Sequence, residues 1–101
     1  MFLIYDTETT GLPRDWKAPL TDSDNWPRLV QLAWQLHAAD GSLIARGNRI
    51  IRPDGFTIPF TSAKIHGITT ARAEADGMPL AEALAEFDAD LARASYVMGH
   101  N

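Results

Sequence analysis

The chain has 101 residues, of which 46% are hydrophobic, and this composition indicates one folded domain and excludes a disordered chain. Its formal net charge is -4, so bound cations or local basic patches would have to offset that charge before it could bind nucleic acid. It has no cysteine, no apolar run long enough to span a bilayer and no secretory-signal pattern after Met1, which excludes disulfides and thiolate metal sites and favours a cytoplasmic location.

The first predicted element is a buried strand over residues 2–8, because a short apolar run rich in Phe, Ile and Tyr opens the chain. Residues 10–28 should form a loop, since one glycine and three prolines interrupt them: Gly11, Pro13, Pro19 and Pro27. Loops of this length are often functional or mobile. We interpret this one as a surface loop pinned by Trp16 and Trp26, in preference to a ligand site.

A β-hairpin is predicted next. Residues 29–37 alternate large apolar side chains with polar or small ones, which is typical of a strand with one buried face. Asp40 and Gly41 supply the residues of a tight turn, and residues 43–52 form the returning strand.

Residues 56–78 are less regular. The pattern there predicts one short helical turn ended by Gly67. A second short helical piece should run up to Gly77, with Thr70 or its neighbour as the cap.

Residues 79–95 form the clearest predicted helix, because four apolar side chains fall at helical spacing on one face: Leu80, Leu84, Phe87 and Leu91. A short apolar strand over residues 96–98 follows. The first three strands can form an antiparallel meander, and the helix can cross over to place the last strand parallel to the first. The sequence therefore predicts an α/β fold with a mixed sheet.

Two carboxylates end the first strand. Asp6 and Glu8 are two residues apart, so they should project from the same face of the strand, with Thr7 on the other side. Adjacent carboxylates repel one another unless a cation lies between them, and hard oxygen ligands suit Mg²⁺ or Mn²⁺. Two such ions about 4 Å apart would clamp both reacting oxygens of a phosphodiester. The alternative is a pair of solvated acids, with Asp6 capping the following turn.

The segment DTETTGL, residues 6–12, resembles the first motif of the DEDDh 3′–5′ exonucleases, the DnaQ-like family that includes the proofreading epsilon subunit of bacterial DNA polymerase III. LVQLAWQL, IIRP, IHGIT and GHN follow in the family's order, so the resemblance covers essentially the whole chain. It implies a ribonuclease H-like fold and metal-dependent removal of nucleoside monophosphates from a 3′ end. It also implies Mg²⁺ or Mn²⁺ as cofactor, with two ions in the complete site.

The resemblance implies that Asp6 and Glu8 are the catalytic metal ligands, and it assigns a further set to substrate binding: Thr7, Thr9, Leu12, His66 and Asn101. The backbone of Thr9 should approach the terminal nucleotide. Leu12 is expected either to wedge against the last bases or to pack its own loop. His66 matches a position that lines the nucleotide pocket, although a structural histidine is the alternative.

His100 and Asn101 match the start of the family's second motif, in which Asn101 should order the loop and not bind metal. The third acidic ligand should follow this motif, and the fourth ligand and the general-base histidine belong to a later motif, HxAxxD. None of these three groups occurs in the 101 residues. We therefore expect residues 1–101 to be the N-terminal portion of a single exonuclease domain. By itself this portion should be inactive and should expose apolar surface through which it self-associates.

Two functions remain open. The first is the exonuclease, acting on a 3′ end of DNA or RNA, with DNA favoured, and four arginines are possible backbone contacts or solvated strand charges: Arg28, Arg46, Arg49 and Arg52. The second is a catalytically incomplete module that binds nucleic acid, a nucleotide or a DNA polymerase. No membrane contact is expected in either case.

Overall fold

A computed structural model describes residues 1–100 of the chain. Its elements, in chain order, are β1 (Phe2–Thr9), β2 (Leu29–His37), β3 (Leu43–Ile50), α1 (Phe60–His66), α2 (Thr70–Asp76), α3 (Leu80–Leu91) and β4 (Tyr96–Gly99). The strands form one sheet in the order β3-β2-β1-β4. β1 and β3 are antiparallel to β2, and β4 is parallel to β1. The predicted ribonuclease H-like mixed sheet is therefore confirmed.

The main core lies between the sheet and α3. Leu3 and Leu36 are directly paired across β1 and β2 and are fully buried. Trp34 packs edge-on against Phe87 of α3, with ring centroids 5.5 Å apart, and its indole Nε1 donates a hydrogen bond of 2.8 Å to Asp90. This packing fixes α3 across one face of the sheet.

The amphipathic helix is shorter and less buried than its pattern predicts. α3 ends at Leu91, and the following turn leads to Ser95, whose backbone N–H donates to the carbonyl of Met1. Phe87 and Leu91 pack on the core, whereas Leu80 and Leu84 remain exposed. The sheet therefore accepts only the carboxyl-terminal half of the predicted apolar face.

Two smaller predictions hold and one changes. Gly67 ends α1 in the left-handed conformation, with φ of 78°, and Thr69, the neighbour of Thr70, caps α2 by accepting a hydrogen bond from Arg72 N–H. β3 ends at Ile50 and not at residue 52: Ile51 N–H still donates to the carbonyl of Val30 in β2, but Ile51 forms an isolated bridge to Met78, and Arg52 N–H donates to the carbonyl of Met78. No helix within residues 1–100 has the length and apolarity to cross a membrane.

Candidate active site at the carboxyl end of the central strand

Asp6 and Glu8 lie near the carboxyl end of β1, which is a central strand of the sheet. They pair with Ala33 and Gln31 of β2, before an irregularity in the pairing between Glu8 and Thr9. Because alternate residues of a strand share a face, both carboxylates project from the face opposite α3. The helix that packs on the main core, α3, covers the other face, so the face that carries the carboxylates is referred to below as the open face.

Thr7 lies on the other side of the strand. Its side chain borders an apolar groove beneath α3, together with Leu32 and Phe87. Its backbone N–H donates a hydrogen bond of 2.9 Å to Asp6 Oδ1. The side chain of Thr7 therefore lies on the other side of the strand from the carboxylates, as predicted, and its backbone N–H contacts Asp6. Its role in substrate binding stays a prediction.

Neither carboxylate has a fixed cationic partner. The side chain of Asp6 is 47% exposed, and no lysine or arginine within residues 1–100 forms an ion pair with Asp6 or Glu8. If arginines surrounded the two acids in a closed cluster, the carboxylate oxygens would be hydrogen-bonded to them and unavailable to a metal ion. Their open, unneutralised arrangement instead leaves oxygen lone pairs available to a soluble cation.

His100 is the third polar side chain at this point. Its backbone N–H donates to the carbonyl of Tyr5, which extends the parallel pairing of β4 beyond Gly99. This places its Nδ1 3.4 Å from Asp6 Oδ1. The sequence assigned a substrate-binding role to Asn101, which lies outside the described residues. The parallel register predicted for the last strand was the signal that could have placed His100 beside Asp6.

Asp6 and Glu8 supply part of the oxygen ligands that a hard divalent cation needs. Mg²⁺ is commonly held by one or two carboxylates, with waters and substrate phosphate oxygens completing the octahedron. Asp6 and Glu8 meet that requirement for one ion. Residues 1–100 hold no group of three or more Asp, Glu, His or Cys side chains that could bind metal, so the described part of the chain does not complete a two-ion site.

The two ends of the loop after β1 are hydrogen-bonded to each other beside this site, and this pairing of Thr10 with Arg28 is called the neck of the loop. Thr10 N–H donates 3.0 Å to the carbonyl of Arg28, and Arg28 N–H donates 2.9 Å to the Thr10 hydroxyl. Thr9 is the last residue of β1, and its hydroxyl donates to the carbonyl of Gly11. Leu12 is 79% exposed, so it does not pack the loop. The neck therefore holds Thr9 next to the carboxylates and leaves Leu12 facing solvent.

Asn25 and Trp26 hold the interior of this loop in place. The buried side chain of Asn25 bonds both the N–H and the carbonyl of Asp15, at 2.7 and 2.9 Å, and Trp26 Nε1 donates to the carbonyl of Pro19. Trp16 is 71% exposed. The interpretation that both tryptophans pin the loop is therefore wrong for Trp16, because the polar fixing bonds come from Asn25 and Trp26.

α1 docks on the end of β1 and brings His66 with it. The buried Ser62 of α1 donates a hydrogen bond of 2.6 Å from its hydroxyl to the carbonyl of Thr10. His66 Nδ1 accepts from Ile68 N–H at 3.1 Å, so the proton is assigned to Nε2. That Nε2 is buried and has no hydrogen-bond partner among residues 1–100. A buried donor of this kind is one that an acceptor atom of a ligand could satisfy.

Comparison with known proteins gives similarity in structure alone. No protein-family model matches the chain, and no curated protein matches it in sequence. Escherichia coli exonuclease I bound to a dT13 oligonucleotide superposes with a TM-score of 0.76 at 22% identity, over 99% of this chain and 20% of that one. The product-bound structure of exonuclease I gives 0.75 at 23% identity, over 99% and 22%. The likeness establishes the fold. The chain spans about one fifth of the length of these proteins.

Proposed function

We propose that this chain carries part of the metal site of a DEDDh-type 3′–5′ exonuclease that removes nucleoside monophosphates from the 3′ end of DNA. The observation that carries the proposal is the pair Asp6 and Glu8, which share one face at the carboxyl end of a central strand and have no lysine or arginine partner within residues 1–100. The DTETTGL motif and the exonuclease I fold support it independently. The related structures include complexes of exonuclease I with single-stranded DNA.

The residues have distinct roles in this proposal. Asp6 and Glu8 hold Mg²⁺ or Mn²⁺, which when bound polarises the scissile phosphate. Thr9 places its backbone against the terminal nucleotide, and the exposed Leu12 contacts the last bases. The Nε2–H of His66 donates to an oxygen of that nucleotide, which satisfies the buried donor. In the reaction a water oxygen bonds to phosphorus, the bond to the 3′ oxygen breaks, and that oxygen takes up a proton.

The complete two-ion reaction needs more ligands than residues 1–100 bring together. We propose that residues 1–101 form the N-terminal portion of a single ribonuclease H-like exonuclease domain, and coverage of about one fifth of exonuclease I supports this. The chain by itself should then bind a metal and a nucleotide but turn over slowly or not at all. A polymerase partner, as in the epsilon subunit, rests on the sequence resemblance alone.

The test measures Mn²⁺ binding by the 101-residue chain, with and without a nucleoside monophosphate, by electron paramagnetic resonance. The change Asp6→Asn should weaken Mn²⁺ binding at least roughly tenfold, because one of two charged ligands is lost. Asp88→Asn, an equal change of charge on the exposed surface of α3, is the matched control and should have no effect. Wild-type Mn²⁺ affinity in the Asp6→Asn variant would refute the proposed site.

The second candidate is a binding module without turnover. It is favoured by the lack of a third metal ligand beside Asp6 and Glu8 within residues 1–100. Metal-strengthened nucleotide binding with no monophosphate released from a single-stranded 3′ end would support this candidate for the chain. Release of monophosphate that depends on Asp6 would exclude it.

We propose that the chain self-associates through an exposed apolar part of the open face. Phe2, Tyr96 and Met98 border one surface there, and Tyr96 is 74% exposed. β4 is also an edge strand of the sheet. An apolar edge of this kind tends to pair with other chains. A concentration-independent monomer in sedimentation would contradict this part of the proposal.

A further inference from the structure

The four arginines of the two hairpin strands and their flanks have different surroundings. Arg49 is committed to structure, because its Nε lies 2.6 Å from Glu86 Oε2 and its guanidinium lies 5.9 Å from the Trp34 ring centroid. Arg46 borders the open face near Asp6. Arg28 and Arg52 are both exposed, and both line one groove on another part of the surface.

This arginine groove, defined by Arg28, Arg52 and Phe56, is a depression of about 560 Å³. One wall is the start of β2 with the segment after β3, and the other is the first turn of α3. The groove is large enough to admit a short stretch of extended chain.

Neutral groups hold the two guanidinium groups in position. Arg28 Nη2 donates 3.0 Å to the carbonyl of Asp54, and the guanidinium lies 4.9 Å from the ring centroid of Phe56. Arg52 Nη2 donates 3.3 Å to the carbonyl of Gly77. Each guanidinium has five N–H donors, so most of these donors remain free.

No carboxylate neutralises either charge. Within residues 1–100, neither Arg28 nor Arg52 forms an ion pair, although Asp54 lines the same groove. Two ordered and uncompensated cations in a chain of net charge -4 form a local anion-binding surface. Guanidinium groups match phosphate oxygens in geometry as well as in charge.

The arginine groove lies at the same end of the sheet as the carboxylates, but its α3 wall is on the opposite face, so a strand bound to both would pass around the end of the sheet. Arg28 forms the neck of the loop with Thr10, which is only two residues beyond Glu8. We propose that the arginine groove binds the phosphodiester backbone of a single-stranded nucleic acid on the 5′ side of the nucleotide held at Asp6 and Glu8. This inference rests on the proposed function and adds a second contact region to it.

The test measures fluorescence anisotropy of a 5′-labelled single strand of thymidylates with the 101-residue chain, in Ca²⁺ and over a series of salt concentrations. The double change Arg28→Gln with Arg52→Gln should weaken binding roughly tenfold at low salt. It should also reduce the slope of log Kd against log salt by about 1.4, which corresponds to two phosphates on a single strand. Each single variant should show about half of the change in slope.

The matched control is Arg72→Gln, which removes the same charge from the exposed surface of α2, where Arg72 pairs with Asp76 at 3.8 Å. It should leave both affinity and salt slope unchanged. Metal-dependent binding of thymidine monophosphate should be equal in wild type and in the double variant, because a single nucleotide held at the carboxylates does not extend to the arginine groove. Thermal unfolding of each single variant shows whether loss of the Phe56 contact has affected folding.

The two proposals fail in different ways. Wild-type strand affinity and salt slope in the double variant would overturn the arginine groove, and so would an equal loss of monophosphate binding. Loss of strand binding in the double variant, with no effect of Asp6→Asn on Ca²⁺-dependent binding, would support the arginine groove and refute the metal site. An Asp6→Asn effect alone would support the metal site and overturn the groove.

Discussion

Replacement of Gly47 by alanine should destabilise the fold by displacing Trp34. Gly47 is paired with Trp34 across β2 and β3, and a Cβ atom at position 47 would lie 2.6 Å from Trp34 Cε2 and closer still to Cζ2 and Cη2. The ring cannot move freely, because it is 3% exposed, packs edge-on against Phe87 and is bonded through Nε1 to Asp90. Gly47→Ala must therefore disturb the contact between the sheet and α3.

The expected cost follows from the contacts that Trp34 would lose. The aromatic pair contributes about 0.5–1.5 kcal/mol and a hydrogen bond to a carboxylate about 1.5–3 kcal/mol. Loss of both predicts a decrease in the free energy of unfolding of about 2–4.5 kcal/mol, measured by urea titration with far-ultraviolet circular dichroism.

A double-mutant cycle separates this contact from a general effect on the strand. Trp34→Phe removes the indole atoms that the new Cβ would meet, so Gly47→Ala should cost less than about 1 kcal/mol in that background. An equal cost in both backgrounds would show that the Trp34 contact is not the cause.

Three further predictions concern single side chains. Asn25→Ala removes both bonds to Asp15 and should speed proteolytic cleavage within residues 10–28, with the circular dichroism of the sheet retained. Ser62→Ala leaves the Thr10 carbonyl without its side-chain donor, should cost about 1–3 kcal/mol, and should increase hydrogen exchange in α1. The backbone N–H of Ser42 lowers the pKa of Asp40, so this carboxylate stabilises the fold above its ordinary pKa, and that stability is lost as pH falls through the lowered value. The difference in stability between wild type and Asp40→Ala should therefore disappear at low pH.

Local patterns were sufficient to predict the sheet. Alternation in β2 places Leu32, Trp34 and Leu36 against α3, and the Asp40-Gly41 turn fixes the hairpin, with Gly41 at φ of 89°. The parallel position of β4 followed from a helix that can cross over between the first and last strands. These features depend on neighbours in sequence or on general rules of topology, so a single sequence was enough to predict them.

Contacts between distant residues were not predictable in the same way. Trp16 and Trp26 are similar in sequence context, but only Trp26 meets a backbone carbonyl, that of Pro19. The sequence left Arg28 and Arg49 open alike, as nucleic-acid backbone contacts or solvated charges. In the structure Arg49 is paired with a carboxylate on α3, and Arg28 is held by a neutral carbonyl. Such differences depend on the positions of α3 and of the loop relative to the sheet. The sequence pattern does not predict these positions accurately enough to assign side-chain contacts.

The open face of the sheet divides into two halves with different chemistry. At the carboxyl end of β1 it presents Asp6 and Glu8, and at the amino end it presents Ile4, Tyr96 and Met98. Association through the apolar half should therefore leave the carboxylates accessible. Tyr96→Lys should abolish self-association in sedimentation and leave Mn²⁺ affinity unchanged, because the new charge on the edge strand opposes pairing and lies beside Phe2, four residues along β1 from Asp6. If Mn²⁺ affinity fell together with association, the metal ligands would have to come from two chains, and the assignment of one ion to Asp6 and Glu8 of a single chain would be wrong.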